Sequence, residues 1–219
     1  MKIIPASYKI LDEFAYPAEM LKKIERHGRT CYKSEDNITK DSAEKFIREL
    51  IKNGHESVLE HVSVSVKIIC DQGISHELVR HRIASYSQES TRYCNYSKNK
   101  FENELTFIRP LFWPYTSIEY KTWLTTMQTI ENEYLDLINI GTSPQQARLL
   151  LPNSLKTEID VTMNLRSGRN FFKQRTTNKA HPQMREIAIP LLKDMQKLLP
   201  PVFEDIIPFE EPQHYANNR

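Results

Sequence analysis

VSVSVKI, residues Val62 to Ile68, alternates four branched apolar side chains with Ser63, Ser65 and Lys67. A period of two puts every apolar residue on one face of an extended chain, so the segment reads as a strand with one buried face. That face needs helices against it, and the flanks supply them. Upstream, Asp41-Ser-Ala-Glu44 offers a cap acceptor with glutamate three places on, and Ala43, Phe46, Ile47, Leu50 and Ile51 recur on one helical face. Gly54 is placed to end that helix. Downstream, Ser75 is expected to cap a short helix that runs into Arg80-His81-Arg82.

Further along, Ser117 to Ile140 reads as the longest helix, with Tyr120, Trp123, Leu124, Met127, Ile130, Tyr134 and Leu137 inward and Gly141 as its stop. Ser143-Pro144-Gln-Gln146 is a capped start with proline at the first helical position. Thr157 to Met163 alternates again, followed by a helix from about Ser167 to Gln174. Pro182 opens a last helix, which Pro190 is expected to kink. Helices with a few separated strands make this an α/β chain of the mixed, α+β kind.

With 219 residues, 39% of them hydrophobic, and only five glycines, the chain suits one domain over residues 1–219, with an exposed polar tail from about 209. Lysine plus arginine exceeds aspartate plus glutamate by only 30 to 28, so no global basic field favours a nucleic-acid or membrane partner. No apolar run approaches a membrane span, and the residues from Met1 to Phe14 predict no signal peptide. Cys31, Cys70 and Cys94 are an odd count without CxxC spacing, which fits a reducing cytoplasm and argues against a disulfide framework or a zinc site. No metal is expected, since neither His55/His61 nor His76/His81 has the spacing of a helical zinc pair.

Chemistry concentrates in RHRIASYSQESTRY, Arg80 to Tyr93, which holds three arginines and a run of hydroxyl and amide side chains but no lysine. Arg148 and the group Arg166, Arg169 and Arg175 extend the bias. A guanidinium grips phosphate or carboxylate two bonds at a time and stacks on flat rings, so these segments point to a phosphorylated, planar ligand. On a helix Arg80, His81 and Arg82 would point about 100° apart and serve different ligands or subunits.

Arg80-His81-Arg82, seven residues, then Ser90 resembles the signature of the flavin-dependent thymidylate synthases. His55-Glu-Ser-Val-Leu-Glu-His61, Ala147-Arg148 before Pro152, Asn164-Leu-Arg166, Asn170-Phe171 and Arg175 resemble the family's other motifs in the same order. The resemblance implies helices around a central sheet of antiparallel type. It implies reductive methylation of dUMP to dTMP, with methylenetetrahydrofolate as one-carbon donor, hydride carried by FAD and resupplied by NADPH, and sites shared within a homotetramer. Carried over by position, His55, Ser57, Arg80, His81, Arg82, Gln88, Asn164, Leu165, Arg166 and Asn170 would meet FAD. Glu77, Arg80, Gln88, Glu89, Ser90, Thr91, Arg92, Arg148 and Arg175 would meet dUMP, with Arg175 the activating residue at the pyrimidine. Two positions depart from the family pattern. Ser87-Gln88 stands where asparagine and glutamate are usual, so either Gln88 replaces the carboxylate or Glu89 reaches in. Glu77 stands where glutamine is common, and a carboxylate there repels phosphate unless an arginine neutralises it. His181 and Gln183 follow Arg175 at a longer spacing than usual and stay outside the expected site.

Two rivals carry their own tests. A cysteine-type thymidylate synthase normally sets its nucleophile after proline, and none of the three cysteines has one there. An RNA-binding module could stack bases on Tyr86, Tyr93 and Tyr96, but the near-neutral charge and the lack of an RNP or KH motif speak against it.

Overall fold

A computed structural model describes residues 1–12, 17–98 and 101–210. The strand read from the Val62–Ile68 alternation is β3, Ser63–Asp71, after β1 (Lys2–Ile4) and β2 (Ser7–Ile10). The second alternating stretch is β6, Lys156–Asn164. The two pair antiparallel along their whole length, Val66 opposite Val161 and Ile68 opposite Ile159. With β2 and β4 (Ala84–Gln88) they form a four-stranded sheet, ordered β2-β3-β6-β4 and antiparallel throughout. A parallel pair, β1 with β5 (Thr106–Ile108), stands apart from it.

The helices are α1 (Pro17–Tyr32), α2 (Ser42–Lys52), α3 (Gln72–Leu78), α4 (Ile118–Asn139), α5 (Pro144–Ala147), α6 (Leu165–Arg175), α7 (Pro182–Leu198) and α8 (Pro200–Phe203). A short 3-10 helix over Glu56–His61 leads into β3. Val64, Val66, Ile68, Ile159 and Val161 pack under α1, α2, α6, α7 and α8, which contribute Ile24, Ile47, Phe172, Leu192 and Phe203 to one core. A second core forms around Trp123, Met127 and Tyr134 of α4 with Phe107 and Leu155.

Most caps fall where the sequence puts them. Ser117 accepts from Tyr120 N at 3.1 Å, Ser143 and Gln146 form a capping box, and Gly141 and Gly54 take positive φ of 95° and 73°. Asp41 occupies the α2 cap position without a side-chain bond to the helix. Ser75 does not cap α3: Asp71 does, accepting from Ile74 N at 2.8 Å, while Ser75 sits inside the helix and donates to the Gln72 carbonyl. A charged acceptor one residue before the first turn outcompetes a hydroxyl within it.

The largest correction concerns the arginine block. Arg80, His81 and Arg82 lie in the turn after α3, not on a helix, and the hydroxyl-rich run beyond them is strand β4. Tyr86 explains the change of direction, because its hydroxyl shares its one hydrogen between the carbonyls of Leu78 and His81 and closes the turn. α6 begins earlier than expected, at Leu165, because Asn164 takes the cap and accepts from Ser167 N at 2.8 Å. α7 continues through Pro190. The chain is still pinned at Phe209, whose N–H donates to the Thr176 carbonyl at 2.7 Å. The rest of the expected tail, from residue 211, lies outside the described residues. Among those residues no helix is long and apolar enough to cross a membrane.

Candidate active site

The β6–α6 junction, the 3-10 helix and the turn at Arg82-Ile83 enclose a cleft of about 360 Å3. Four residues expected to meet one cofactor line it together: Arg82, Asn164, Arg166 and Asn170. Glu56, Glu60, Ser167 and Lys173 complete the polar lining, and Arg166 is held on Glu60 at 2.6 Å. Ser57 is exposed on the same 3-10 helix, and His55 precedes it with Nδ1 2.8 Å from the Tyr32 hydroxyl. Leu165 is different. Its side chain is 2% exposed in the main core, which leaves only its backbone for a ligand.

Two arginines of α6, six residues apart, have opposite surroundings. Arg169 is 1% exposed and bonded to Glu56, to both oxygens of Asp205 and to the Val202 carbonyl, so it clamps the 3-10 helix to the C-terminal segment. Arg175 is partly open and reaches the end of α3. Its Nη1 donates to the Glu77 carboxylate at 2.6 Å and its Nε to His81 Nε2 at 2.7 Å. The charge of Glu77 is thus matched by an arginine, as a phosphate neighbour would require. His81, expected to meet FAD, is 6% exposed with its ring edge-on to Phe171 at 5.0 Å, and it is not among the residues that line the Arg82 cleft. Burial, and then the Arg175 charge, pull its pKa down to about 4, so the ring is neutral at pH 7 and accepts at Nε2.

At the end of β4 the two candidates for a missing carboxylate part company. Gln88 turns toward α3 and donates to Ser75 Oγ at 3.0 Å and Thr157 Oγ1 at 3.2 Å. Glu89 turns to Lys156, at 2.9 Å, and accepts from the Tyr96 hydroxyl at 3.0 Å. Burial alone would lower Lys156, but the hydrogen bonds it donates to Glu158 and Glu89 outweigh it and raise its pKa, so the lysine stays charged and holds Glu89 in place. Gln88 is thus the one that packs on α3, the helix whose last turn holds Glu77.

Ser90, Thr91 and Arg92 form the turn beyond β4, where the Ser90 carbonyl accepts from Tyr93 N and Cys94 N and Arg92 lies over the Tyr93 ring. Arg80, Arg82 and Arg148 are exposed and make no ion pair among the described residues. Arg148 begins the turn after α5, packed along α4, and lines neither of the clefts described here.

Sequence reasoning missed a second cleft of about 330 Å3, walled by Phe112, Trp113 and Trp123 and bordered by Glu77, Asp71, His181 and Gln183. Gln183 donates to Asp71 at 2.8 Å, and His181 caps α7. The aromatic pair Phe112-Trp113 between prolines was its available signal. Cys70, at the end of β3, is 1% exposed, and burial pushes its thiol pKa up, which disfavours a thiolate nucleophile. Among the described residues no group of three or more histidine, cysteine or acidic side chains is placed to hold a metal ion.

Comparison with known proteins bears on this arrangement. A family model described as "Thymidylate synthase complementing protein" matches residues 14–201. The flavin-dependent thymidylate synthase of Pyrococcus furiosus is 36% identical over 171 residues, covering 78% of this chain and 69% of that one. The enzyme of the same name from Geobacter sulfurreducens is 33% identical over 188 residues, covering 83% and 79%. Among solved structures, a UMP/dUMP methylase, PolB of Streptomyces cacaoi bound with 5-Br dUMP, superposes with a TM-score of 0.75 over 93% of this chain and 96% of that one. At 22% identity that likeness speaks for the fold. Motifs, family model and relatives agree, and the chain belongs to the flavin-dependent thymidylate synthase family.

Proposed function

We propose that this protein methylates dUMP to dTMP, with methylenetetrahydrofolate as one-carbon donor, FAD as hydride carrier and NADPH as reductant. The balance is dUMP, methylenetetrahydrofolate, NADPH and a proton giving dTMP, tetrahydrofolate and NADP+. One observation carries the reading. Arg82 lines the cleft with Asn164, Arg166 and Asn170, while its neighbour His81 holds Arg175, so one turn joins that cleft to an arginine suited to a pyrimidine.

The cleft fits a phosphorylated, flat cofactor by its donor set, with Arg82 and Arg166 beside the capped start of α6, Lys173 on its last turn and Ile83 as an apolar wall. FAD would be held there by Arg82, Asn164, Arg166 and Asn170, with His55 and Ser57 at the rim, and once reduced by NADPH would supply the two electrons that take the one-carbon unit to a methyl group. The protein's own part is electrostatic. Uracil must become electron-rich at C5 before it attacks the one-carbon unit. A fixed guanidinium at N3 stabilises the anionic ring, and in a site poor in water this amounts to several kcal/mol of barrier. Arg175 takes that role, with Arg80, Gln88, Ser90, Thr91 and Arg92 around the rest of the nucleotide. Arg148, which lines neither cleft in one chain, reaches the site from another copy, in a cytoplasmic homotetramer.

Purified protein should be yellow, with flavin absorbance, and should release tritium from dUMP labelled at C5 when given methylenetetrahydrofolate and NADPH. Colourless protein that takes up no FAD and releases no tritium refutes the assignment.

A further inference from the structure

Arg175 ends α6, and all three of its nitrogens are engaged by one turn of chain. Nε donates to His81 Nε2 at 2.7 Å, Nη1 to the Glu77 carboxylate at 2.6 Å, and Nη2 to the Glu77 carbonyl at 3.4 Å. A guanidinium carries five N–H groups, so two remain, one on each terminal nitrogen. The supports are themselves fixed. His81 is wedged edge-on against Phe171, and its carbonyl takes the Tyr86 hydroxyl at 2.7 Å. Glu77 lies in the last turn of α3, which Asp71 caps from the other end.

We propose that Glu77 and His81 are positioning residues, which hold Arg175 so that its two remaining N–H groups form a fixed two-pronged donor face for the pyrimidine. The proposal rests on the dUMP reading above and adds to it the device that fixes the arginine. Geometry is the reason the device matters. A uracil that has lost its N3 proton presents adjacent oxygen and nitrogen acceptors, which two fixed donors match. The neutral ring sets its own N–H against one of them. A mobile guanidinium would favour the two forms less unequally, and only the difference between them lowers the barrier.

The test is a double-mutant cycle on the FAD-loaded enzyme. Glu77→Ala and His81→Phe should each retain wild-type flavin content and a dUMP KM within about threefold, while kcat falls about 10- to 100-fold, as ångström-scale misplacement of a reacting group does. Glu77→Gln keeps an oxygen acceptor for Nη1 and should return kcat to within about threefold of wild type. In an Arg175→Ala background, Glu77→Ala and His81→Phe should cost less than about twofold more, because the group they act through is gone. Losses that multiply in that background overturn the proposal. So does a Glu77→Gln enzyme as slow as Glu77→Ala, or a His81→Phe enzyme that keeps full kcat or loses its flavin. The Glu77 arms decide the question even where His81→Phe does not fold. Wild-type protein that forms no dTMP refutes the proposed reaction and this role together, whereas an active wild type with an additive cycle refutes the role alone.

Discussion

Replacing Arg169 with methionine keeps most of the side-chain volume but removes the charge that ties Glu56 to Asp205. The side chain is 1% exposed, and it donates to Glu56 at 3.0 and 3.2 Å and to Asp205 at 2.6 and 2.7 Å. Removing one partner of a buried ion pair costs about 3–5 kcal/mol, because the remaining charge is stranded. Here the lower end applies, since the Asp205 side chain is 44% exposed and rehydrates, and Lys173 stays 3.3 Å from Glu56. A loss of about 3 kcal/mol lowers the Tm of a chain of this size by roughly 6–12 °C. The assay is thermal unfolding of wild type and Arg169→Met at one protein concentration, because assembly shifts Tm by mass action.

The pH dependence provides a second reading of the same interaction. Burial raises Glu56, but the Arg169 hydrogen bond and charge outweigh it; the Arg169 hydrogen bond is the leading cause at Asp205, and both pKa values end below 4.5 and 3.8. The unfolded chain then binds more protons, so this stability is fully present above the unfolded pKa values and is lost as pH falls through the folded ones. In Arg169→Met that acid sensitivity should shrink. A variant within 1 kcal/mol of wild type at pH 7, with the same acid profile, would refute the reasoning.

Three other outcomes are expected. Gly28→Ala places a Cβ 2.6 Å from the Phe46 ring, which is itself pinned under the Arg29 guanidinium at 4.0 Å. Overpacking of about 1–3 kcal/mol exceeds the roughly 1 kcal/mol gained in helix propensity, so urea unfolding should show a net loss, and a gain would contradict the packing. Ser117→Ala removes the cap of α4 and should cost about 1 kcal/mol in the same assay; no change would mean the cap bond contributes nothing. The folded pKa of His81, about 4, lies below its ordinary 6.5, so its contribution is complete above pH 6.5 and is lost as pH falls toward 4, by at most about 3 kcal/mol. The stability difference between wild type and His81→Phe should therefore shift across that window, and a difference that stays constant from pH 7 to 4 would remove His81 as its source.

Local signals gave the elements whose reasons are local. The alternation at Val62–Ile68 and Thr157–Met163 marks strands because a period of two is a property of the chain itself, and Ser117 and Ser143 announce helices because a cap bonds only its own first turn. Of the site, the motif around Arg80–Ser90 and the α6 arginines were legible as residue types. The strand made by Ser85 and Ser87 was not, because its β structure depends on pairing with Thr162 and Asp160 across the sheet.

The sequence alone determined the family, the mixed fold class and the set of side chains from which a site could be built. Tertiary structure decided what each side chain does. Arg169 and Arg175 are the same residue type on the same helix, yet the buried one meets Glu56 and Asp205 and the other meets Glu77 and His81, 98 and 94 positions away, beside a cleft. Gln88 and Glu89 are likewise separated only by which side of the chain faces α3. Periodicity is written into neighbouring residues, but a charge takes its role from whatever the packed sheet and helices bring against it.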